Sequence, residues 1–466
     1  MVQDMTVGNP LRLIFKFSIP LLLGNLLQNI YHISDIMIVG RLIDTQALAA
    51  VGSSAPIYFV FLLITLGFTG GLTIVTAQQF GAHNPDGVRR SVTHSIIASF
   101  VLCLLFTFGM LWGLRPLLQI MNVPTDIFEQ AYIFMYYLTC GLTMLVSYNL
   151  LSGFIRALGD SKTPLYFLLF STFLNILLNF CFIYYGKMGI IGSALGTIIA
   201  ITLSVIFCII YISKKYPILR LQRNDWKFNS DFMMQHLRVA VPMSLQFSII
   251  AFGVMIIQSI CNSFGAETIA AFTAALRIEQ LSTQPLLALG LSIATYTAQN
   301  YGAGKFARIR RAVSQCALIS FGFSIVISLL VRFVGENMID LFLKEKNMTI
   351  IEIAQNYLNI STMFYFFLGM IFIYRNTLQG MGRSDIPLLA SVVELGMRAF
   401  AAVYLAQSMG YLGICYASPI AWVGGAVVVF TGYHLTIHGL RKKISEDGFY
   451  KNLSKQMYLQ EGTPAE

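Results

Sequence analysis

Thr76-Ala-Gln-Gln-Phe-Gly-Ala82 returns later in the chain as Thr297-Ala-Gln-Asn-Tyr-Gly-Ala303, an offset of 221 residues. The same offset carries Arg89-Arg90 onto Arg310-Arg311 and Leu48-Ala-Ala50 onto Ile269-Ala-Ala271. Ile19-Pro20 matches Val241-Pro242 at 222, and Gly159, Ser161 and Pro164 match Gly382, Ser384 and Pro387 at 223. An offset that drifts this slowly is what a duplication with one-residue gaps leaves behind. The chain is two copies of one unit.

What surrounds these motifs is apolar. Of 466 residues, 56% are apolar and only 11% charged, against about 25% charged in soluble domains. That is too little charge to cover a water-facing surface, and it clusters between long apolar runs, as it does when lipid covers the exterior. Runs long enough to cross about 30 Å of hydrocarbon fall at 13–39, 50–78, 91–113, 131–155, 163–185 and 189–213, then at 239–262, 268–299, 312–334, 354–379, 386–407 and 411–437. The expected fold is all-α: twelve transmembrane helices in two pseudo-symmetric six-helix lobes around a central cavity. An even number of helices per half makes the repeats parallel, related by an axis along the membrane normal. The expected domains are an N-lobe (1–213), a basic cytoplasmic linker (214–238), a C-lobe (239–440) and a cytoplasmic tail (441–466).

Basic residues orient this plan. Arg89, Arg90, Arg156, Lys162, Lys214, Lys215, Arg220, Arg308, Arg310, Arg311, Arg441 and Lys442 all fall on the side of the termini. The opposite loops and their edges hold only Arg41, Arg115, Lys187, Arg332, Lys344 and Lys346. The imbalance puts both termini in the cytoplasm; the expected location is a bacterial or archaeal plasma membrane. It also accounts for the net charge of +10 without nucleic acid. The apolar run after Pro10 reads as a spanning helix and not a removable leader. Seven scattered cysteines and no metal-ligand spacing exclude a metal centre; no cofactor is expected.

Carboxylates inside hydrocarbon are costly, by at least about 2.5 kcal/mol, and need a reason. Asp35 stands out. With Asn25, Gln28 and His32 it lines one face of the first helix, a polar stripe that should look into a cavity or at a partner helix. Tyr31, Gln246 and Gln258 are further cavity candidates. In the second half the position of Asp35 falls on Ile256 or Ile257, so the copy lacks the acid. Asn175 and Asn179 place two amides on one face of helix five, suited to orienting water or an ion, or to binding a neighbouring helix. Glu394 and Arg398, four residues apart, have the spacing of a local ion pair. Glu279 lies near Arg277 in helix eight.

Taken in order, these residues resemble the multidrug and toxic compound extrusion (MATE) transporters, most closely the DinF-like branch. The resemblance rests on Asn9-Pro10, Pro20, Asp35-Ile-Met-Ile-Val-Gly40, Ala49-Ala-Val-Gly52, Thr76-Ala-Gln-Gln-Phe-Gly81, Arg156-Ala-Leu-Gly-Asp-Ser-Lys-Thr-Pro164 and Val241-Pro-Met-Ser-Leu-Gln246. It implies an exporter of amphipathic, often cationic compounds in exchange for protons or sodium. The family's N-lobe site falls on Asp35 and, in helix five, on Asn175 and Asn179; the last is an acid in the family and an amide here. Acids that bind a cation in the C-lobe of some relatives, on helices seven and ten, are missing from those spans.

The expected function is therefore secondary export of small amphipathic, cationic compounds by antiport with protons, sodium being the alternative ion. Asp35 is the coupling acid, and the expected partners are small-molecule substrates and the lipid bilayer, with the protein a monomer. The alternative is a flippase for a lipid-linked precursor, which would line its cavity with several cations. An enzyme is not expected, since no catalytic constellation appears and the loops are too short for a catalytic domain.

Overall fold

The computed structural model describes residues 2–342 and 347–460; the side chains of His32, Ile36, Arg441 and 443–460 are outside that description, as are Lys344, Lys346 and the end of the expected tail. Fourteen α-helices follow one another with no strand among the described residues. The first seven are α1 (Pro10–Leu42), α2 (Thr45–Gly81), α3 (Pro85–Ile120), α4 (Phe128–Cys140), α5 (Leu142–Ala157), α6 (Lys162–Phe180) and α7 (Gly189–Lys215). The second seven are α8 (Ser230–Cys261), α9 (Ala266–Gly302), α10 (Phe306–Asp340), α11 (Met348–Met363), α12 (Tyr365–Gly380), α13 (Asp385–Met409) and α14 (Tyr411–Gln460).

Local chemistry sets the ends. Asn9 accepts the Arg12 N–H and Pro10 opens α1, a side-chain cap followed by a residue with no N–H to satisfy. Asp44 caps α2 in the same way through the Ala47 N–H, at 2.6 Å. Within 214–238, α8 already starts at Ser230.

Nine helices are long and apolar enough to cross a membrane, and two bent pairs raise the number to eleven among the described residues. The pairs are α4 with α5, bent by 46°, and α11 with α12, bent by 51°. They are the fourth and tenth expected spans, each broken near its middle, at Gly141 and at Phe364. The twelfth segment is α9, whose 37 residues give ample length but carry Arg277, Glu279, Gln280 and Gln284. Large apolar side chains cover the outside, Trp112 being 91% and Phe333 80% exposed. That is a surface for lipid and not for water.

The helices form two lobes, α1–α7 and α8–α14, that repeat one packing scheme. Each lobe's first helix also leans on the second helix of the other: α1 packs on α9, and α8 packs on α2. Contact between lobes is concentrated in the half nearest the basic loops. There Ser244 Oγ donates to the Ile64 carbonyl at 2.9 Å, Gln78 Nε2 to the Gly380 carbonyl at 2.9 Å and Gln299 Nε2 to the Ala157 carbonyl at 2.8 Å. The main chains of α2 and α9 meet where Gly81 lies against Gln299 and Gly302 against Gln78. These are the residues of the duplicated motif, which thus forms a two-fold clasp between the lobes.

Residues 2–9 run across the clasp. The Gln3 N–H donates to the Leu158 carbonyl at 3.0 Å, on the first lobe. The Met5 N–H donates to Gln299 Oε1 at 2.8 Å, and Lys305 Nζ and Arg308 Nη2 donate to the Thr6 and Gly8 carbonyls at 3.0 and 2.9 Å, on the second. Met5 and Thr6 are fully buried.

Candidate functional site

Two polar regions are candidates. The first lies inside the first lobe, where α1, α6 and α7 meet. Asn179 Nδ2 donates to Asp35 Oδ1 at 2.6 Å and Ser193 Oγ donates to the same oxygen at 3.4 Å. Asn175 Oδ1 accepts from Asn179 Nδ2 at 3.4 Å, and Asn175 Nδ2 donates to Thr197 Oγ1 at 3.0 Å. Both asparagines are fully buried. Gly196 of α7 makes room for them, since a Cβ there would overlap the Asn179 amide. Tyr31 hydrogen-bonds to Thr197 and lies, with Tyr58 of α2, close to Asp35. No salt bridge joins Asp35 to a described cation.

The i, i+4 spacing of Asn175 and Asn179 and the polar face of α1 thus converge on one carboxylate. Ser193, Thr197 and Tyr58 complete the group. Sequence reading missed them because Ser and Thr inside an apolar helix usually bond back to their own helix. Asn179 Oδ1 is buried with no hydrogen-bond partner, a free carbonyl oxygen next to the acid.

The second region is a cavity of about 220 Å³ between the lobes. Its wall includes Asn25 and Gln28 of α1, Tyr148, Asn149 and Arg156 of α5, and Asn376 and Gln379 of α12, with Phe17, Leu21, Met243 and Phe247 supplying apolar surface. Of the expected cavity residues whose side chains are described, only Asn25 and Gln28 line it. Asp35 is not part of the wall; seven residues beyond Gln28, it lies about 10 Å further along α1. A cationic substrate, which the resemblance implies, finds no acid among these lining residues. The side chain of His32 is outside the described structure.

The remaining expected positions belong to the second lobe and are not part of this wall. Gln246 is buried and accepts from Gln379 Nε2 at 2.8 Å. Gln258 donates to Asn262 at 3.0 Å at the far end of α8. Glu279 accepts from the buried Tyr357 hydroxyl at 3.1 Å. Glu394 pairs with Arg375 of α12, both nearly buried, and not with Arg398 as the i, i+4 spacing suggested. The reason is reach: α13 turns Glu394 toward α12, whereas Arg398 packs on Gly253 of α8. Arg156, Asn149 and Gln379 were missed; Arg156 in particular reads in sequence as an ordinary orienting charge at a loop edge.

Two lobes related by an internal repeat, a cavity between them and a hydrogen-bonded carboxylate within a spanning helix define a membrane transporter, not an enzyme. The family model described as MatE matches residues 20–181 and 242–404, once in each lobe, and the chain belongs to that family. It is 28% identical over 436 residues to the probable multidrug resistance protein YpnP of Bacillus subtilis (92% of this chain, 96% of that one). It is 26% identical over 429 residues to the probable multidrug resistance protein YoeA of the same organism (90% and 92%). Among solved structures, one described as MATE in the bent conformation shares the fold at a TM-score of 0.88, with 23% identity over 95% of this chain and 98% of that one.

Proposed function

We propose that the protein exports small amphipathic compounds by antiport with protons, sodium being the alternative ion, and that Asp35 is the coupling acid. The observation that carries this reading is the Asp35 carboxylate itself. It is placed within a spanning helix, held by two hydrogen bonds from α6 and α7, and paired with no described cation. An acid in that setting is costly unless it has work to do.

The geometry suggests how an ion acts. In the ionised state Asp35 accepts from Asn179 and Ser193, which ties α1 to α6 and α7. Protonation removes the charge that strengthens those bonds and turns one carboxyl oxygen into a donor, for which Asn179 Oδ1 is a free acceptor after the amide rotates. Sodium would instead use the same oxygens as ligands. Either event resets α1 relative to its own lobe. Because α1 also packs on α9 of the other lobe, the change reaches the clasp between α2 and α9. Alternating access then follows as the lobes rock, with the clasp closing the cytoplasmic side.

A flippase for pyrophosphate-linked lipids would need several cations in its cavity, and the wall supplies one, Arg156. The test is flux into proteoliposomes under a pH gradient and a sodium gradient imposed separately. Uptake that follows one of them supports antiport and identifies the ion; uptake indifferent to both contradicts it.

A further inference from the structure

Arg156 is the one ionised side chain among the residues that line the cavity between the lobes. It lies in the last turn of α5, where a cation commonly serves the helix's free carbonyls. Those carbonyls are already taken. Phe154, Ile155 and Arg156 accept from the Leu158, Asp160 and Gly159 N–H groups. Ala157 accepts from Gln299 at 2.8 Å and Leu158 from the Gln3 N–H at 3.0 Å. The nearest loop acid, Asp160, bonds to Thr163 and Tyr216, and no described salt bridge reaches Arg156. The guanidinium is half-buried and faces the cavity without a carboxylate.

Two further facts sharpen this. Asn25 Nδ2, also in the wall, is a buried donor with no partner. The repeat offset of 223 carries Arg156 onto Gln379, which lines the same cavity but spends its Nε2 on Gln246. The lining residues therefore offer one cation and a buried N–H donor without a partner, with no acid among them to oppose it.

We infer that the cavity takes amphipathic molecules bearing an anionic group, a carboxylate or sulfonate, seated on Arg156 and Asn25. The apolar body rests on Phe17, Leu21, Met243 and Phe247. A guanidinium fork matches two anionic oxygens at once, whereas a cationic drug would meet like charge in a poorly screened site. The inference rests on the transport reading above, but it concerns what binds and not what drives transport.

The experiment measures binding and flux separately, with dansylglycine as the anionic probe and ethidium as the cationic one. Purified wild-type protein should bind dansylglycine more tightly than ethidium. Arg156→Gln should weaken dansylglycine binding by about tenfold or more, the effect of losing one charge-assisted hydrogen bond, and leave ethidium unchanged or improved. Arg156→Lys, which keeps the charge but not the fork, should bind dansylglycine more weakly than wild type and more tightly than Arg156→Gln, and shows that the site still folds. Preferential ethidium binding by wild type, or equal dansylglycine affinity in wild type and Arg156→Gln, overturns the inference. Dansylglycine that binds through Arg156 but moves under no ion gradient leaves this inference standing and removes the antiport reading instead.

Discussion

Asn179 on α6 donates to Asp35 on α1 across 2.6 Å, joining residues 144 positions apart through a hydrogen bond to a carboxylate. Charge-assisted bonds of this kind are worth about 1.5–3 kcal/mol. Asn179→Ala should therefore lower gradient-driven flux by about 10- to 100-fold and lower the Tm as well, because it leaves the Asp35 carboxylate without its closest donor. Initial rates in proteoliposomes check this; a rate within twofold of wild type would mean that the bond does not serve coupling.

Gln78 and Gln299 make the same bond in opposite directions across the lobes, and residues 2–9 cross over them. Each bond contributes about 0.5–1.5 kcal/mol only while the clasp is closed. Gln78→Ala and Gln299→Ala together should shift the population of open and closed clasps by about tenfold or more toward the open one. Double electron–electron resonance between labels on α2 and α9 at that face reads the shift. An unchanged distance distribution would show that the glutamines do not hold the closed state.

The sequence made some of this visible. The duplication was readable because its motif recurs at a nearly constant spacing, and the spans because hydrocarbon thickness demands a minimum apolar length. The breaks at Gly141 and Phe364 were not, since the apolar run continues through both. Asp35, Asn175 and Asn179 stood out as polar side chains in apolar helices, and the helical repeat already put the two amides on one face. What brings them together is the packing of α1 on α6, which no local spacing encodes. The crossed contacts of α1 with α9 and α8 with α2 escaped for the same reason.

Glu394 illustrates the limit most plainly. Spacing favours Arg398, yet the ion pair forms with Arg375 on another helix. Removing one member of a buried pair leaves the other charge stranded, at a cost of about 3–5 kcal/mol. Glu394→Gln should thus lower the Tm in detergent markedly, while the double variant Arg375→Met, Glu394→Leu recovers most of the loss. Equal melting of the single variant and wild type would show that the pair carries no stability.

Asp160, in the loop before α6, gives a pH test outside the membrane. Burial alone would raise its pKa, but its hydrogen bonds, those from Thr163 and Tyr216 among them, together outweigh it and hold the carboxyl below its ordinary range. A group depressed in the folded state stabilises above its unfolded value, near 3.9, and loses that contribution as pH falls through the lower folded value. The Tm difference between wild type and Asp160→Asn should be constant from neutral pH to about 4 and shrink below it. A gap that persists into strong acid would assign the effect to packing and not to charge.

The most direct test of the account is Asp35→Asn, an isosteric change that removes the charge at the proposed coupling site. The variant should insert and melt like wild type and still bind the probe that wild type transports, dansylglycine or ethidium. It should not accumulate that probe in proteoliposomes under either a pH or a sodium gradient. Gradient-driven accumulation at the wild-type rate would contradict the central claim, because coupling would then not need the Asp35 carboxylate.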